Sequence, residues 1–218
     1  NMRDFFVAML LGNAFLGIYT GILAYIGQKT GLTLDLLSRY SFGEKGSYLP
    51  SVLISFTQIG WFGVGVAMFA IPVGTLIIVI GALMTFTAYY GIKALAVLGA
   101  VAVPLIAVLG IYSVNFGINE VNGFANVFSD TPAVPLTMAA ALSIVIGSFI
   151  SGGTSTPNFT RFSRTPKIAV WATIIAFFAG NSIMFIFGAV GGAVTGNPDI
   201  FDILMAQGLM IPAIIVLG

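Results

Sequence analysis

Long apolar runs separated by short polar connections make up most of the chain. Runs of about 17 to 25 apolar residues are long enough to cross the hydrocarbon core of a bilayer as α-helices. The pattern therefore predicts an all-α polytopic membrane protein, with one transmembrane domain over residues 1–218. We expect six spans and a truncated seventh, at about 5–27, 48–73, 75–90, 92–112, 134–160, 168–194 and 204–218.

The residue composition of the fifth run changes partway along its length. It begins as an apolar helix and then becomes Gly147-Ser-Phe-Ile-Ser-Gly-Gly-Thr154, rich in glycine and hydroxyl residues. Backbone groups that leave a helix inside hydrocarbon are tolerated only where protein buries them or where they line a cavity. We expect a break in the helix near 147–153, at Gly147, Gly152 and Gly153, of the kind that forms binding sites in secondary transporters. Close packing of helices through small residues is the alternative.

Two features indicate that the chain is one portion of a longer protein. Only Pro72 to Thr75 separates the second and third spans, which leaves the third span short for a bilayer. Either this is a very tight turn or a connecting segment is missing, and we favour the missing segment. The chain also begins at Asn1 and stops at Gly218 inside an apolar run, so we expect it to be the middle of a transporter.

Composition supports a membrane protein and excludes several functions. Hydrophobic residues make up 58% of the chain and charged residues 7%, against roughly 25% charged in a soluble domain. With no cysteine and no histidine, disulfides, zinc or haem sites and Cys or His catalysis are excluded. There is also no basic surface for nucleic acid. If the connection at 28–47 is cytoplasmic, seven of the eight basic residues fall on that side, as the positive-inside rule requires.

The polar residues at membrane depth are neutral. All fifteen charged residues lie at span ends or in connections, so no proton relay built from carboxylates is visible. Asn13 and Asn181 are expected to form hydrogen bonds between helices. Neutral hydrogen-bonding groups of this kind suit an uncharged polar solute.

One pair in the second span fits a flat heterocycle. Gln58 and Trp61 are three residues apart and so share a helical face. The Gln58 amide can donate and accept in one plane, and the Trp61 indole offers a surface for stacking. In the fifth run, Phe149 would close the second face of the ring, and the backbone freed at Ser148 would bind it. The alternative is that Gln58 bonds to a neighbouring helix while Trp61 fills space between helices.

Several segments resemble the nucleobase-cation symporter family of type one, and most closely its members that carry cytosine. The resemblance is clearest in Gln58-Ile-Gly-Trp-Phe-Gly-Val64, Gly147-Ser-Phe-Ile-Ser151 and Gly180-Asn-Ser182. It implies a LeuT-type fold with an inverted repeat, of which this chain supplies the second to seventh helices and the start of the eighth.

The resemblance also implies roles for individual residues. Gln58 would hydrogen-bond the base, Trp61 and Phe149 would stack on its two faces, and the Ser148 backbone and Ser151 side chain would bind its edge. Sodium coupling would use residues of the first and eighth helices, in portions that this chain does not contain, and no other cofactor is expected. The protein would lie in the inner (plasma) membrane.

Other functions stay open at this point. A related permease for uracil, hydantoin, allantoin or another small heterocycle is the first alternative, and a channel is less favoured. An intramembrane enzyme is disfavoured because the sequence shows no paired carboxylates and no base for a serine nucleophile. The oligomeric state is not indicated by the sequence.

Overall fold

The computed structural model describes residues 2–73, 77–120, 122–123, 126, 136–195, 205, 208 and 210, and these residues form only helices, turns and short connections. The predicted all-α class is confirmed for this part of the chain. The helices are α1 (Met2–Thr30), α2 (Leu34–Gly46), α3 (Tyr48–Val73), α4 (Ile77–Tyr89), α5 (Ile92–Glu120), α6 (Met138–Thr154), α7 (Thr156–Thr160), α8 (Pro166–Ile174), a π-helical turn (Ile175–Gly180) and α9 (Asn181–Thr195).

Four helical stretches within the described residues are long and apolar enough to cross a membrane. They run over Arg3–Thr30, Tyr48–Ala67, Ile92–Asn119 and Pro166–Ala193, and the apolar helix Met138–Thr154 is shorter. Helices thus occupy the first six predicted spans, and α5 extends to Glu120, beyond the predicted end at 112. The seventh predicted span lies outside the described residues except at 205, 208 and 210, as does the join at 74–76.

A turn with a glycine and a capping threonine ends α1 and begins α2. Gly31 has φ +68°, a left-handed conformation that glycine adopts without steric cost, and its N–H donates to the Gly27 carbonyl at 2.9 Å. Thr33 then caps α2 by accepting a hydrogen bond from the Leu36 N–H. The polar connection at 28–47 therefore carries a short helix.

The chain divides into two compact units, Asn1–Gly60 with Pro132–Met184 and Trp61–Thr131 with Phe185–Gly218. In the first unit α1 is central and packs against α6, α7, α8 and the π-helical turn. Leu16 and Ala24 of α1 are completely buried. The exposed faces of both units carry large apolar side chains, which is expected of helices that meet lipid or other helices.

Glycines allow α1 to approach its neighbours closely. A Cβ added at Gly12 would lie 2.5 Å from a methyl group of Val145 in α6. One added at Gly27 would lie 2.7 Å from the backbone of Pro157 in α7. These distances are too short for real Cβ contacts, so Gly12 and Gly27 of α1 serve close helix packing.

The second unit has an ordinary contact and a very close contact at glycines. Gly81 of α4 faces Val66 of α3, where an added Cβ would be 3.5 Å from a methyl carbon. Gly110 of α5 lies directly against the ring of Phe187 in α9, with no room for a methyl group. Val66, Phe187 and Val190 are the buried apolar side chains of this unit among the described residues.

The structure corrects the predicted break in the fifth span. α6 is a regular helix through Gly147, Gly152 and Gly153 and ends at Thr154. The interruption comes at Ser155, with φ −79° and ψ 0°, before α7 begins. Glycine alone does not end a helix whose other backbone hydrogen bonds are made, whereas Pro157 lacks an N–H and so favours a new helix start.

Two buried asparagines join α1 to α9. The Asn181 amide donates to Asn13 Oδ1 at 2.6 Å, and the Asn13 amide donates to Ser182 Oγ at 2.9 Å. Asn13 is completely buried and Asn181 is 4% exposed. The prediction that both asparagines form hydrogen bonds between helices is confirmed.

Candidate substrate-binding site

The interruption at Ser155 concentrates hydroxyl groups at the end of α6. The Ser155 N–H bonds to the Ser151 and Gly152 carbonyls at 3.2 and 3.1 Å. Its hydroxyl donates to the Ser151 carbonyl at 3.2 Å, and the Thr154 hydroxyl donates to the Ile150 carbonyl at 2.7 Å. Backbone and side chains together thus supply hydrogen bonds to the Ile150, Ser151 and Gly152 carbonyls at the end of α6.

Gln58 of α3 reaches this interruption within the first unit. Its Nε2 donates to Ser155 Oγ at 3.3 Å. Within the described part of the chain, the remaining amide N–H and the Oε1 of Gln58 have no hydrogen-bond partner. The hydrogen bond to a neighbouring helix, which was the alternative interpretation of Gln58, is present, and it still leaves a donor and an acceptor side by side on the amide.

Tyr19 of α1 makes a hydrogen bond to Thr154, the residue that precedes Ser155. Its hydroxyl is 3.0 Å from Thr154 Oγ1. Because the Thr154 proton goes to the Ile150 carbonyl, Tyr19 is the donor in this pair. The end of α6 is therefore tied to α1 through Thr154 and to α3 through Ser155.

Phe149 lines a cavity of about 250 Å³ on the first unit. Its side chain is 41% exposed, so a large part of the ring is accessible to a ligand. The other lining residues are mostly apolar, with one amide: Ala176, Phe177, Gly180, Asn181 and Met184. An apolar cavity with a few polar groups is typical of small-molecule sites.

The remaining predicted residues of α6 have different environments in the structure. Ser148 lies within the regular helix and its hydroxyl donates to the Val145 carbonyl at 2.9 Å, so the expected lapse of backbone hydrogen bonding at Ser148 is wrong. Ser151 is 7% exposed, and its carbonyl accepts from Ser155. Gly153 packs against Thr20.

Gly147 and Gly152 are open. A Cβ added at either glycine would meet nothing within 4 Å among the described residues. The backbone at these two glycines is sterically open to a ligand, although neither glycine breaks the helix.

Trp61 lies one turn beyond Gln58 in α3 and is the first residue of the second unit. Its side chain is 47% exposed, which leaves the indole accessible for stacking. That Trp61 shares a helical face with Gln58 stays a prediction from their spacing.

Sequence reasoning missed Ser155 and the pair Tyr19–Thr154. The available signal was Pro157, because a proline at the first positions of a helix marks a new start and places the interruption just before it. Nothing local in the sequence indicates that Tyr19, 135 positions away, contacts Thr154.

Comparison with known proteins gives consistent matches. The model of a family described as permeases for cytosine/purines, uracil, thiamine and allantoin matches residues 1–217. The chain is 57% identical to the cytosine permease of Escherichia coli K12 over 99% of its length and 54% of that protein. It is 24% identical to the hydantoin permease of Microbacterium maritypicum, over 84% of the chain and 44% of that protein. The chain thus spans about half the length of these relatives.

A solved structure shares the fold. The chain matches Mhp1, a nucleobase-cation-symport-1 family transporter solved in a closed conformation with bromovinylhydantoin bound, with a TM-score of 0.84 at 18% identity. The match covers 99% of this chain and 55% of Mhp1. The predicted partial transporter fold is therefore confirmed.

Proposed function

Because the chain belongs to the family of permeases for cytosine, purines, uracil, thiamine and allantoin, we propose that the full-length protein is a secondary active transporter that imports a nucleobase, with cytosine as substrate. The observation that carries the proposal is the Gln58 amide, which stands at the helix interruption with one N–H and its carbonyl oxygen unpaired among the described residues. The high identity to a cytosine permease supports the choice of cytosine.

The chemistry of the site suits a neutral planar ring. Cytosine offers adjacent hydrogen-bond donors and acceptors on its edge, which the Gln58 amide can match in one plane. Phe149 and Trp61 are both partly exposed aromatic residues, and we propose that they stack on the ring. Ser151 is proposed to assist at the edge of the ring, and the open backbone at Gly147 and Gly152 allows close approach.

Transport requires more than this portion of the protein. The proposal includes sodium as the co-transported ion and alternating access by movement of one helical bundle against the other. The sodium ligands are expected in helices that lie outside this chain. We propose a multi-pass protein of the inner (plasma) membrane that works without a prosthetic group and has no enzymatic activity.

A related heterocycle is the second candidate substrate, since the hydantoin permease is among the relatives. Competition of uracil, hydantoin and allantoin against labelled cytosine would rank these ligands. Saturable, sodium-dependent uptake by the full-length protein would support a symporter, and a flux that does not saturate would indicate a channel.

The direct test measures binding of labelled cytosine to the full-length protein and its Gln58→Ala variant. We expect the variant to lose about tenfold or more in affinity, because two hydrogen bonds at about 0.5–1.5 kcal/mol each are removed. Gln28→Ala is the matched control: Gln28 also makes a long-range hydrogen bond, to the Ser163 carbonyl at 3.3 Å in the connection between α7 and α8. Unchanged cytosine affinity in the Gln58 variant would overturn the proposed contact.

A further inference from the structure

The hydroxyl groups of Thr154 and Ser155 use their protons in the same way. Each donates to a carbonyl four residues earlier, Thr154 to Ile150 at 2.7 Å and Ser155 to Ser151 at 3.2 Å. A hydroxyl has one proton, so each oxygen then presents only lone pairs to its partner on the neighbouring helix. Ser155 can therefore accept from Gln58 but cannot at the same time donate to it.

As long as the Ser155 proton stays on the Ser151 carbonyl, this restriction fixes the orientation of the Gln58 amide. A glutamine amide can turn by half a rotation about its last bond and exchange the positions of its oxygen and nitrogen. Next to Ser155 Oγ, only the nitrogen end can make a hydrogen bond, and it does so at 3.3 Å. Ser155 is 6% exposed and Ser151 is 7% exposed, so water has little access to replace either contact.

We infer that Ser155 is a positioning residue that holds the Gln58 amide in one direction and thereby selects the order of donor and acceptor on the ligand edge. This inference rests on the proposed function. With its nitrogen at Ser155, Gln58 offers its oxygen on one side of the edge and its second N–H on the other. A ligand must place a donor opposite the oxygen and an acceptor opposite the N–H.

The consequence is discrimination between two classes of pyrimidine. An aminopyrimidine edge has an amino donor beside a ring-nitrogen acceptor, whereas a dioxopyrimidine has a carbonyl acceptor and an N–H donor at the same two ring positions. A fixed amide therefore fits one class in a given pose. A ring that turns over to reverse the order also moves its remaining substituents to the other side. An amide that is free to rotate would fit both classes.

The experiment measures the ratio of uracil to cytosine dissociation constants for the full-length protein by competition against labelled cytosine. In Ser155→Ala, the amide gains freedom to rotate, and we expect the wild-type preference to fall by about threefold to tenfold, the range that one hydrogen bond supplies. Ser155→Cys keeps a side chain of similar size but is a weak acceptor, so the preference should fall there too. Ser155→Thr keeps the hydroxyl and should retain the wild-type ratio.

Tyr19→Phe is the matched control, because it removes the hydrogen bond to Thr154 without touching Gln58. It should leave the ratio unchanged. An unchanged ratio in both Ser155→Ala and Ser155→Cys would overturn the inference, as would an equal fall in Tyr19→Phe. These outcomes are distinct from failure of the proposed function, in which the wild-type protein itself would not bind cytosine.

Discussion

Two adjacent glycines of α6 have opposite environments, and the difference predicts opposite effects of the same substitution. A Cβ at Gly153 would lie 2.7 Å from the Thr20 methyl carbon in α1. A Cβ at Gly152 would meet nothing within 4 Å among the described residues. We therefore expect Gly153→Ala to destabilise the protein and Gly152→Ala to be neutral or stabilising.

The magnitudes follow from the structure. Replacing glycine by alanine inside a helix gains about 0.5–1 kcal/mol from the lower conformational entropy of the unfolded chain. Both variants share this gain, whereas forcing an extra methyl group into the packed α1–α6 contact costs about 1–3 kcal/mol. The free energy of unfolding of Gly153→Ala should therefore lie about 1–3 kcal/mol below that of Gly152→Ala.

Thermal unfolding of the purified full-length protein in detergent provides the assay. We expect an apparent midpoint a few degrees lower for Gly153→Ala than for Gly152→Ala. Thr20→Ser supplies the rescue, because it removes the clashing methyl group while keeping the hydroxyl that donates to the Leu16 carbonyl at 2.7 Å. The double variant Gly153→Ala with Thr20→Ser should recover most of the loss.

Two results would refute this reasoning. Equal midpoints for the two alanine variants would show that α6 does not pack on α1 at Gly153. A double variant no more stable than Gly153→Ala would show that the Thr20 methyl is not the obstacle.

Two further predictions concern the interior of each unit. Asn13→Leu should lower the free energy of unfolding by about 1–3 kcal/mol, because it leaves the buried Asn181 amide without its partner. Thermal unfolding measures this loss, and Leu11→Ala, at an exposed position, is the control and should have a minor effect. Gly110→Ala should reduce the yield of folded protein in detergent, because the new methyl group would overlap the Phe187 ring, and adding Phe187→Leu should restore it. Full yield for Gly110→Ala alone would contradict the contact.

The helices were largely predictable from the sequence because their signal is local. Apolar runs of membrane-spanning length predicted α1, α3 and α5. The helix α5 continues to Glu120, since polar residues follow its apolar run without ending the helix. The buried role of Asn13 and Asn181 was also predictable, since unpaired amides are costly inside a membrane protein. Their pairing across 168 positions was not, because it depends on how the helices pack.

The candidate site was only partly predictable. Gln58 was chosen from the chemistry of its amide, but its partner Ser155 was not. The glycines at 147–153 led us to predict the helix break too early in the chain. In the structure Gly153 is a packing residue, which its sequence neighbours do not reveal. The π-helical turn at Ile175–Gly180 has no composition that would have indicated it.

That π-helical turn has a consequence for how the chain can change in length. A π-helical turn accommodates about one residue more than an α-helical turn. On either side of it, α8 contacts α1 through Ile174, and α9 contacts α1 through Asn181 and Ser182. The surplus residue is absorbed locally, so loss of one residue within Ile175–Gly180 would yield a plain α-helix with both flanking faces still in register. Evolutionary loss of one residue should therefore be tolerated here, inside a helix of membrane-spanning length, where deletions are otherwise disruptive.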